Sequence, residues 1–376
     1  MTTLRMHQRD SHSAVSGIKH YFTVFDGPLA LIVFLILSVG IVSVYSAGID
    51  FPGRIESHMR NILIAFVVMW IAAIVPPQTL MRFAVPVYVL GVGLLVAVAV
   101  FGIIKKGSRR WIDIGVVIQP SEIMKIAVPL MLAWFFQKRE GMVRWPDFMV
   151  ATVLLMIPVG LIIRQPDLGT SLLVLGSGFF VIFLAGLPWK VIIGLGAAGA
   201  ASLPVVWTMM LHDYQRNRVL TLIDPTSDPL GKGFHIIQST IAIGSGGITG
   251  KGWLNGTQSH LEFIPERTTD FVFAVFSEEF GLVGNAVLLV LYLLLIGRGL
   301  LIAANAPTVF SRLLAGALTL MLFTYAFVNM GMVSGILPVV GVPLPFVSYG
   351  GTAFVTLGLG IGILMSIQRH RKLIQT

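Results

Sequence analysis

The sequence predicts an all-α integral membrane protein of ten transmembrane helices, with one large extracytoplasmic loop between helices 7 and 8. Three observations predict it. Of 376 residues, 56% are hydrophobic and only 11% are charged, against about 25% charged in soluble domains. The apolar residues gather into ten runs, at about 28–46, 61–75, 84–104, 121–136, 148–163, 169–187, 190–210, 271–297, 312–334 and 347–367. Each run approaches the roughly 20 residues that cross a bilayer. Between the runs only one stretch, 211–270, is both long and polar.

Residues 1–27 are polar and basic, and the run after them is long enough to span. It therefore reads as a retained signal anchor behind a cytoplasmic tail. An even number of spans places both termini on one side. With the N-terminus inside, the inner segments hold thirteen cations: Arg5, Arg9, Lys19, Arg82, Lys138, Arg139, Arg144, Lys190, Arg298, Arg312, Arg369, Arg371 and Lys372. The short outer loops hold seven: Arg54, Arg60, Lys105, Lys106, Arg109, Arg110 and Arg164. That bias puts both termini, including the tail 368–376, in the cytoplasm. Segment 211–270 alternates polar turns with apolar pairs such as Ile236-Ile237, so it is expected to fold against the membrane rather than hang free. With no internal repeat or soluble domain, 1–376 reads as one membrane domain.

The net charge of +9 and pI near 10.0 belong to membrane-flanking cations and anionic lipid. No basic stripe is interleaved with aromatics, so nucleic acid is not a partner. With zero cysteines, disulfides, thiolate metal sites and cysteine nucleophiles are excluded.

Five constellations could carry chemistry. In Glu262-Phe-Ile-Pro-Glu266-Arg267-Thr-Thr-Asp270, three carboxylates recur at spacing four before an apolar run. Pro265 would start a helix there, placing Glu266 and Asp270 on one face. A carboxylate at the membrane boundary gains basicity by desolvation, as a general base needs. Acids that merely favour a helix N-terminal dipole would look the same. Lys105-Lys106-Gly-Ser-Arg109-Arg110-Trp111 puts four cations on the unfavoured side, where guanidinium forks match a diphosphate; an interfacial belt is the alternative. Gln119-Pro-Ser121-Glu122-Ile-Met-Lys125 opens a helix with opposite charges at i, i+3, either functional or a structural ion pair. Arg164-Gln165-Pro166-Asp167 is an outer turn in which Asp167 either caps the next helix or lines a site. Pro338 to Gly351, with Ser348 near its end, is broken backbone, tolerated at membrane depth only where it is buried or lines a cavity.

Gly244-Ser-Gly-Gly-Ile-Thr-Gly250-Lys251-Gly252 imitates a phosphate loop but lacks the first glycine and the Ser/Thr after lysine. No two of the eight histidines stand at i, i+4, so zinc is unsupported.

Together these motifs resemble the SEDS family (shape, elongation, division and sporulation), across essentially the whole chain. Arg109-Arg110-Trp111-Ile112, Gln119-Pro120-Ser121-Glu122, Gln165-Pro166-Asp167-Leu168-Gly169-Thr170 and Pro345-Phe346-Val347-Ser348-Tyr349-Gly350-Gly351 carry the resemblance. The most specific stretch is Pro265-Glu266-Arg267-Thr268-Thr269-Asp270-Phe271, followed by Glu278-Glu279-Phe280-Gly281. One departure is Thr268, where many relatives carry His. The short N-terminus and Gln258-Ser259-His260-Leu261-Glu262-Phe263 place the resemblance in the elongation (RodA) branch rather than the division (FtsW) branch.

The resemblance implies a glycosyltransferase that polymerises lipid II into glycan strands at the outer face of the cytoplasmic membrane. The reaction would invert the donor's anomeric centre and release undecaprenyl diphosphate. The implied partners are a class B penicillin-binding protein and the elongation machinery. The family's essential aspartate maps to Asp270 and its intramembrane ion pair to Glu122 and Lys125. Glu266, Arg109, Arg110, Lys105, Lys106, Gln119, Ser121, Asp167 and Ser348 are then expected to bind substrate or support catalysis. A divalent cation, Mg2+ or Mn2+, would sit at Asp270 and Glu266, with no organic cofactor. The rival readings are a lipid II flippase and a non-catalytic scaffold for the penicillin-binding protein.

Overall fold

The computed structural model describes residues 25–105, 108–113, 117–165, 167–210, 213–227, 232–260, 264 and 266–371. Its helices are α1 (Gly27–Ala47), α2 (Arg54–Ile74), α3 (Pro77–Phe101), α4 (Pro120–Gln137), α5 (Trp145–Ile163), α6 (Leu168–Leu184) and α7 (Trp189–Val205). They continue with α8 (Asp213–Ile223), α9 (Lys232–Ser245), α10 (Thr257–His260), α11 (Val272–Ala304), α12 (Val309–Val333) and α13 (Thr352–Arg371). Each expected apolar run falls mainly on a helix, though 102–104 and 347–351 lie outside one. Eight helices, α1, α2, α3, α5, α7 (extended to Met209), α11, α12 and α13, are long and apolar enough to cross a membrane. Helix α6 is apolar but short, and α4 carries Glu122 and Lys125 in its first two turns.

The core lies where α4, α12 and α13 meet, since these helices bury most of their side chains. Helix α13 rests on α2 through small residues. A methyl group on Gly358 would lie 2.6 Å from the Ala65 carbonyl, and one on Gly362 would lie 2.4 Å from that of Met69. Membrane helices approach closely through such small-xxx-small pairs, because lipid offers no hydrophobic drive between them. The outer surfaces of α1, α2, α3, α5 and α11 expose Leu, Phe, Val and Ile, and α7 buries no residue at all. A bilayer is the solvent in which such a surface is stable.

One element departs from the all-α expectation. The cation cluster after α3 folds into a small antiparallel sheet of β1 (Ile103–Lys105), β2 (Ser108–Asp113) and β3 (Val117–Ile118). Ile103 pairs with Trp111, and Ile112 with Ile118. The β-branched residues here favour strands, although a hydropathy window registers only the end of an apolar run. Within 211–270, α8, a 3-10 turn and α9 form an ordered segment, with α9 packed on α11 and α12. The Ser239 hydroxyl donates to the Val333 carbonyl at 2.9 Å, and Ile236 and Ala242 are buried.

The glycine stretch 244–252 is not a phosphate loop but a staple. Helix α11 breaks at Gly281 (φ 62°). The amides of Lys251 and Gly252 donate to the carbonyls of Glu278 and Glu279, and those of Leu282 and Val283 to Gly247 and Ile248. Backbone freed by a break at membrane depth must be satisfied by protein. A side chain at Gly250 (φ 79°) would strike the Glu279 carbonyl, which is why glycine stands there.

Candidate functional site

The segment before α11 corrects one expectation: it is a turn, and the helix starts only at Val272. Glu266 adopts a left-handed conformation (φ 51°). Its carbonyl accepts from the Thr269 amide at 3.0 Å and the Phe271 amide at 3.4 Å, while its Oε2 accepts from the Thr269 hydroxyl at 3.2 Å. Glu266 and Asp270 are therefore set by a turn, not by a helix face. Glu266 is exposed and Asp270 half-buried. Glu262 lies outside the described residues.

Neighbouring segments fix this turn. Arg267 is buried, donates to Asp50 Oδ2 at 2.6 Å and lies over the Phe51 ring. The Thr268 carbonyl accepts from the Tyr349 amide at 2.8 Å. Asn329 of α12 donates through Nδ2 to the Asp270 carbonyl at 2.9 Å and to the Val342 carbonyl at 2.7 Å. Gly341 (φ 74°) faces the Asp270 carboxylate, for a methyl group there would lie 3.4 Å from Asp270 Oδ2. The broken 335–351 backbone thus walls one side of Asp270. Ser348 is spent inside that wall, where its hydroxyl accepts from the Leu344 amide at 2.8 Å.

Glu122 and Lys125 form a buried pair. Lys125 Nζ lies 2.5 Å from Glu122 Oε1 and 2.5 Å from the Tyr325 hydroxyl, while Thr356 donates to Glu122 Oε2 at 3.3 Å. The Lys125 side chain is only 3% exposed and that of Glu122 11%, so each charge depends on its partners. The pair ties α4 to α12 and α13.

Asp167 is the centre of a second polar cluster. Its Oδ1 caps α6 at the Thr170 amide, 3.2 Å away, and faces Arg110 Nη1 at 3.7 Å. Its Oδ2 accepts from Gln119 Nε2 at 3.1 Å, and the same amide donates to Ser121 Oγ at 3.1 Å. Of the alternatives open in the sequence, the capping role holds, and Asp167 also gathers these side chains around it. Arg110 also donates to the Gln165 carbonyl at 3.3 Å. Arg109 is exposed and donates to the Ala99 carbonyl. Lys105 ends β1, and Lys106 lies outside the described residues.

All the described candidates occupy one end of the bundle: the ends of α1, α3, α5 and α12 and the starts of α2, α4, α6, α11 and α13. Sequence reasoning missed several residues there. Asn329 is the one amide side chain in an apolar run, a signal of intramembrane function not taken up. Arg54 stacks over the rings of Phe51 and Tyr349, and nothing in its spacing announced that. Glu278, seen only as family resemblance, accepts from Lys251 Nζ and from the amides of Thr257 and Gln258, capping α10. Chemically, this end offers a half-buried carboxylate in a fixed turn, an adjacent glycine-lined wall and guanidinium groups. That set suits proton removal beside an anionic leaving group. Among the described residues no group of three His, Asp or Glu side chains is placed to hold a metal.

A family model described as "Cell cycle protein" (FtsW, RodA, SpoVE) matches residues 27–373. The chain is 53% identical over 350 residues to the peptidoglycan glycosyltransferase MrdB of Escherichia coli K12, covering 93% of this chain and 95% of that one. It resembles the crystal structure of the Thermus thermophilus rod shape determining protein RodA, with a TM-score of 0.70, 29% identity and coverage of 92% and 97%. It also resembles a chain of a peptidoglycan synthase complex that coordinates polymerization and crosslinking, with a TM-score of 0.80, 35% identity and coverage of 92% and 98%.

Proposed function

The chain belongs to the cell cycle protein family of FtsW, RodA and SpoVE, and we propose that it is the peptidoglycan glycosyltransferase of cell elongation. In this reading it polymerises lipid II at the outer face of the cytoplasmic membrane. The observation that carries it is the placement of Asp270: a half-buried carboxylate held in a turn, against broken backbone, within a chain 53% identical to a peptidoglycan glycosyltransferase.

The 4-hydroxyl of one saccharide attacks the anomeric carbon of another, whose α-linked diphosphate leaves from the opposite face. A C–O bond forms as the bond to the diphosphate breaks, and the β-linkage records inversion. Asp270 takes the hydroxyl proton, and undecaprenyl diphosphate leaves with the electron pair. Arg109 and Arg110, with Lys105 and Lys106, offset the charge growing on that diphosphate. Arg110 does so while bridged to Asp167, which Gln119 orients while donating also to Ser121. Ser348 supports the wall opposite. Glu266 and Asp270 offer the carboxylate oxygens that hard cations prefer, and Mg2+ typically takes one or two carboxylates plus substrate phosphates. A bound Mg2+ or Mn2+ would supply further charge neutralisation at the diphosphate.

The same reading gives ten spans, counting α4 and α6 with the eight long helices, and a periplasmic 211–270 loop. Both termini lie in the cytoplasm. The partners are a class B penicillin-binding protein, in line with the likeness to a peptidoglycan synthase complex, and the elongation machinery. A flippase needs a two-sided path, whereas the polar candidates gather at one end. Purified protein given lipid II, with and without partner and Mg2+, tests the reading. Glycan strands are expected; lipid II translocation in vesicles without strand formation would overturn it.

A further inference from the structure

We infer that Asn329 is a positioning residue for Asp270, an inference that rests on the proposed transferase reading. Two irregular segments meet at Asp270, the 266–271 turn and the 335–351 wall, and neither belongs to a regular element that could fix it alone. Asn329 is fully buried. Its one amide nitrogen spends both hydrogens on these segments, at 2.9 Å to the Asp270 carbonyl and 2.7 Å to the Val342 carbonyl. Because both partners are carbonyls, the amide can face them only with its NH2 group, so its orientation is unambiguous. Its Oδ1 is buried and takes no hydrogen bond among the described residues. The residue thus carries a desolvated acceptor in order to present two donors.

The carboxylate that the clasp governs stands next to Gly341, one residue from Val342, where a methyl group would come within 3.4 Å of Oδ2. A slip of either segment therefore alters the room beside the reacting oxygen. Asn329 is itself anchored. Tyr325, one turn earlier on the same face of α12, takes the 2.5 Å bond from Lys125. The buried Glu122–Lys125 pair and the Asp270 turn thus hang on one ridge of one helix.

The test uses the full-length chain and two near-isosteric replacements, Asn329→Leu and Asn329→Asp, each lacking the NH2 group. Misplacement of a reacting group by about 1 Å can cost about 100-fold. Both variants are expected to lose kcat on that scale among molecules that fold, while KM for lipid II stays within about threefold; the two carbonyls left unpaired lower the thermal midpoint. A second readout needs no catalysis. The chain has no cysteine, so Thr269→Cys is a unique thiol in the turn, and its alkylation should accelerate when Asn329→Leu is added. Wild-type kcat in either folded variant, or activity lost only in step with folding and lipid II binding, would overturn the inference. So would an unchanged alkylation rate, which also decides the matter should the Asp variant fail to fold. An inactive parent whose thiol still becomes faster with Asn329→Leu would sink the transferase reading while leaving the clasp standing.

Discussion

Arg109 and Arg110 are adjacent in sequence but have different fates. Arg109 is exposed on the sheet and, among the described residues, donates to a backbone carbonyl. Arg110 turns inward to Asp167, whose side chain is 8% exposed. The pair is 3.7 Å apart and the guanidinium is 29% exposed, so solvent screens it to about 1 kcal/mol of stability. Arg110→Ala is therefore expected to leave a folded protein with weakened use of lipid II at limiting substrate. Arg109→Ala should stay within about 0.5 kcal/mol of the parent in stability. Thermal melts on the two purified variants separate them, and equal losses of stability would contradict the distinction drawn from Asp167. That distinction could not be read from Arg-Arg spacing, because alternation in a strand sends neighbours to opposite faces and the strand itself went unseen.

At the scale of elements, the ion pair on α4 makes the sharpest statement. Removing either charge strands the other in a nearly dry site, at a cost of about 3–5 kcal/mol. The exchange Glu122→Lys with Lys125→Glu restores the attraction. The Tyr325 hydroxyl, which accepts from lysine, can instead donate to a glutamate at 125, and Thr356 can accept from a lysine at 122. Partial recovery of folding and polymerisation over either single reversal is expected, measured as detergent-solubilised yield and strand synthesis. A swap that folds normally yet makes no strands would show that one side chain meets the substrate or the catalytic machinery itself. The pair was legible because i, i+3 spacing on an amphipathic start is a local property. The turn at 266–270 was not, because its conformation depends on Asp50, Tyr349 and Asn329, which lie far off in the chain. The 244–252 staple is another such case: its glycines serve a break in α11 that only packing reveals.

For the whole molecule, the apolar runs translated directly into helices because lipid-facing surfaces advertise themselves in composition. What composition left blank is how the ends meet. The Arg298–Asp26 pair, with bonds of 2.9 and 2.5 Å, ties the end of α11 to the start of α1, on the side read as cytoplasmic. Ten spans with both termini inside make a topological prediction. In this cysteine-free chain, Thr226→Cys should be labelled by a membrane-impermeant thiol reagent in intact spheroplasts, whereas Glu140→Cys and Asn305→Cys should react only after permeabilisation. All three positions are exposed in the fold. Labelling of Glu140→Cys from outside would invert the assignment and move Asp270 to the wrong face for its substrate.

The central claim is that Asp270 removes the proton from the attacking hydroxyl, and the most direct measurement is strand synthesis by purified Asp270→Asn. The substitution keeps the side chain's size and leaves the Asn329 bond to the backbone carbonyl intact. General-base catalysis is worth about 10²–10⁴-fold. The variant should therefore fold, bind lipid II as tightly as the parent and form strands at least about 100-fold more slowly. Near-parental strand length and rate from folded Asp270→Asn would contradict the account.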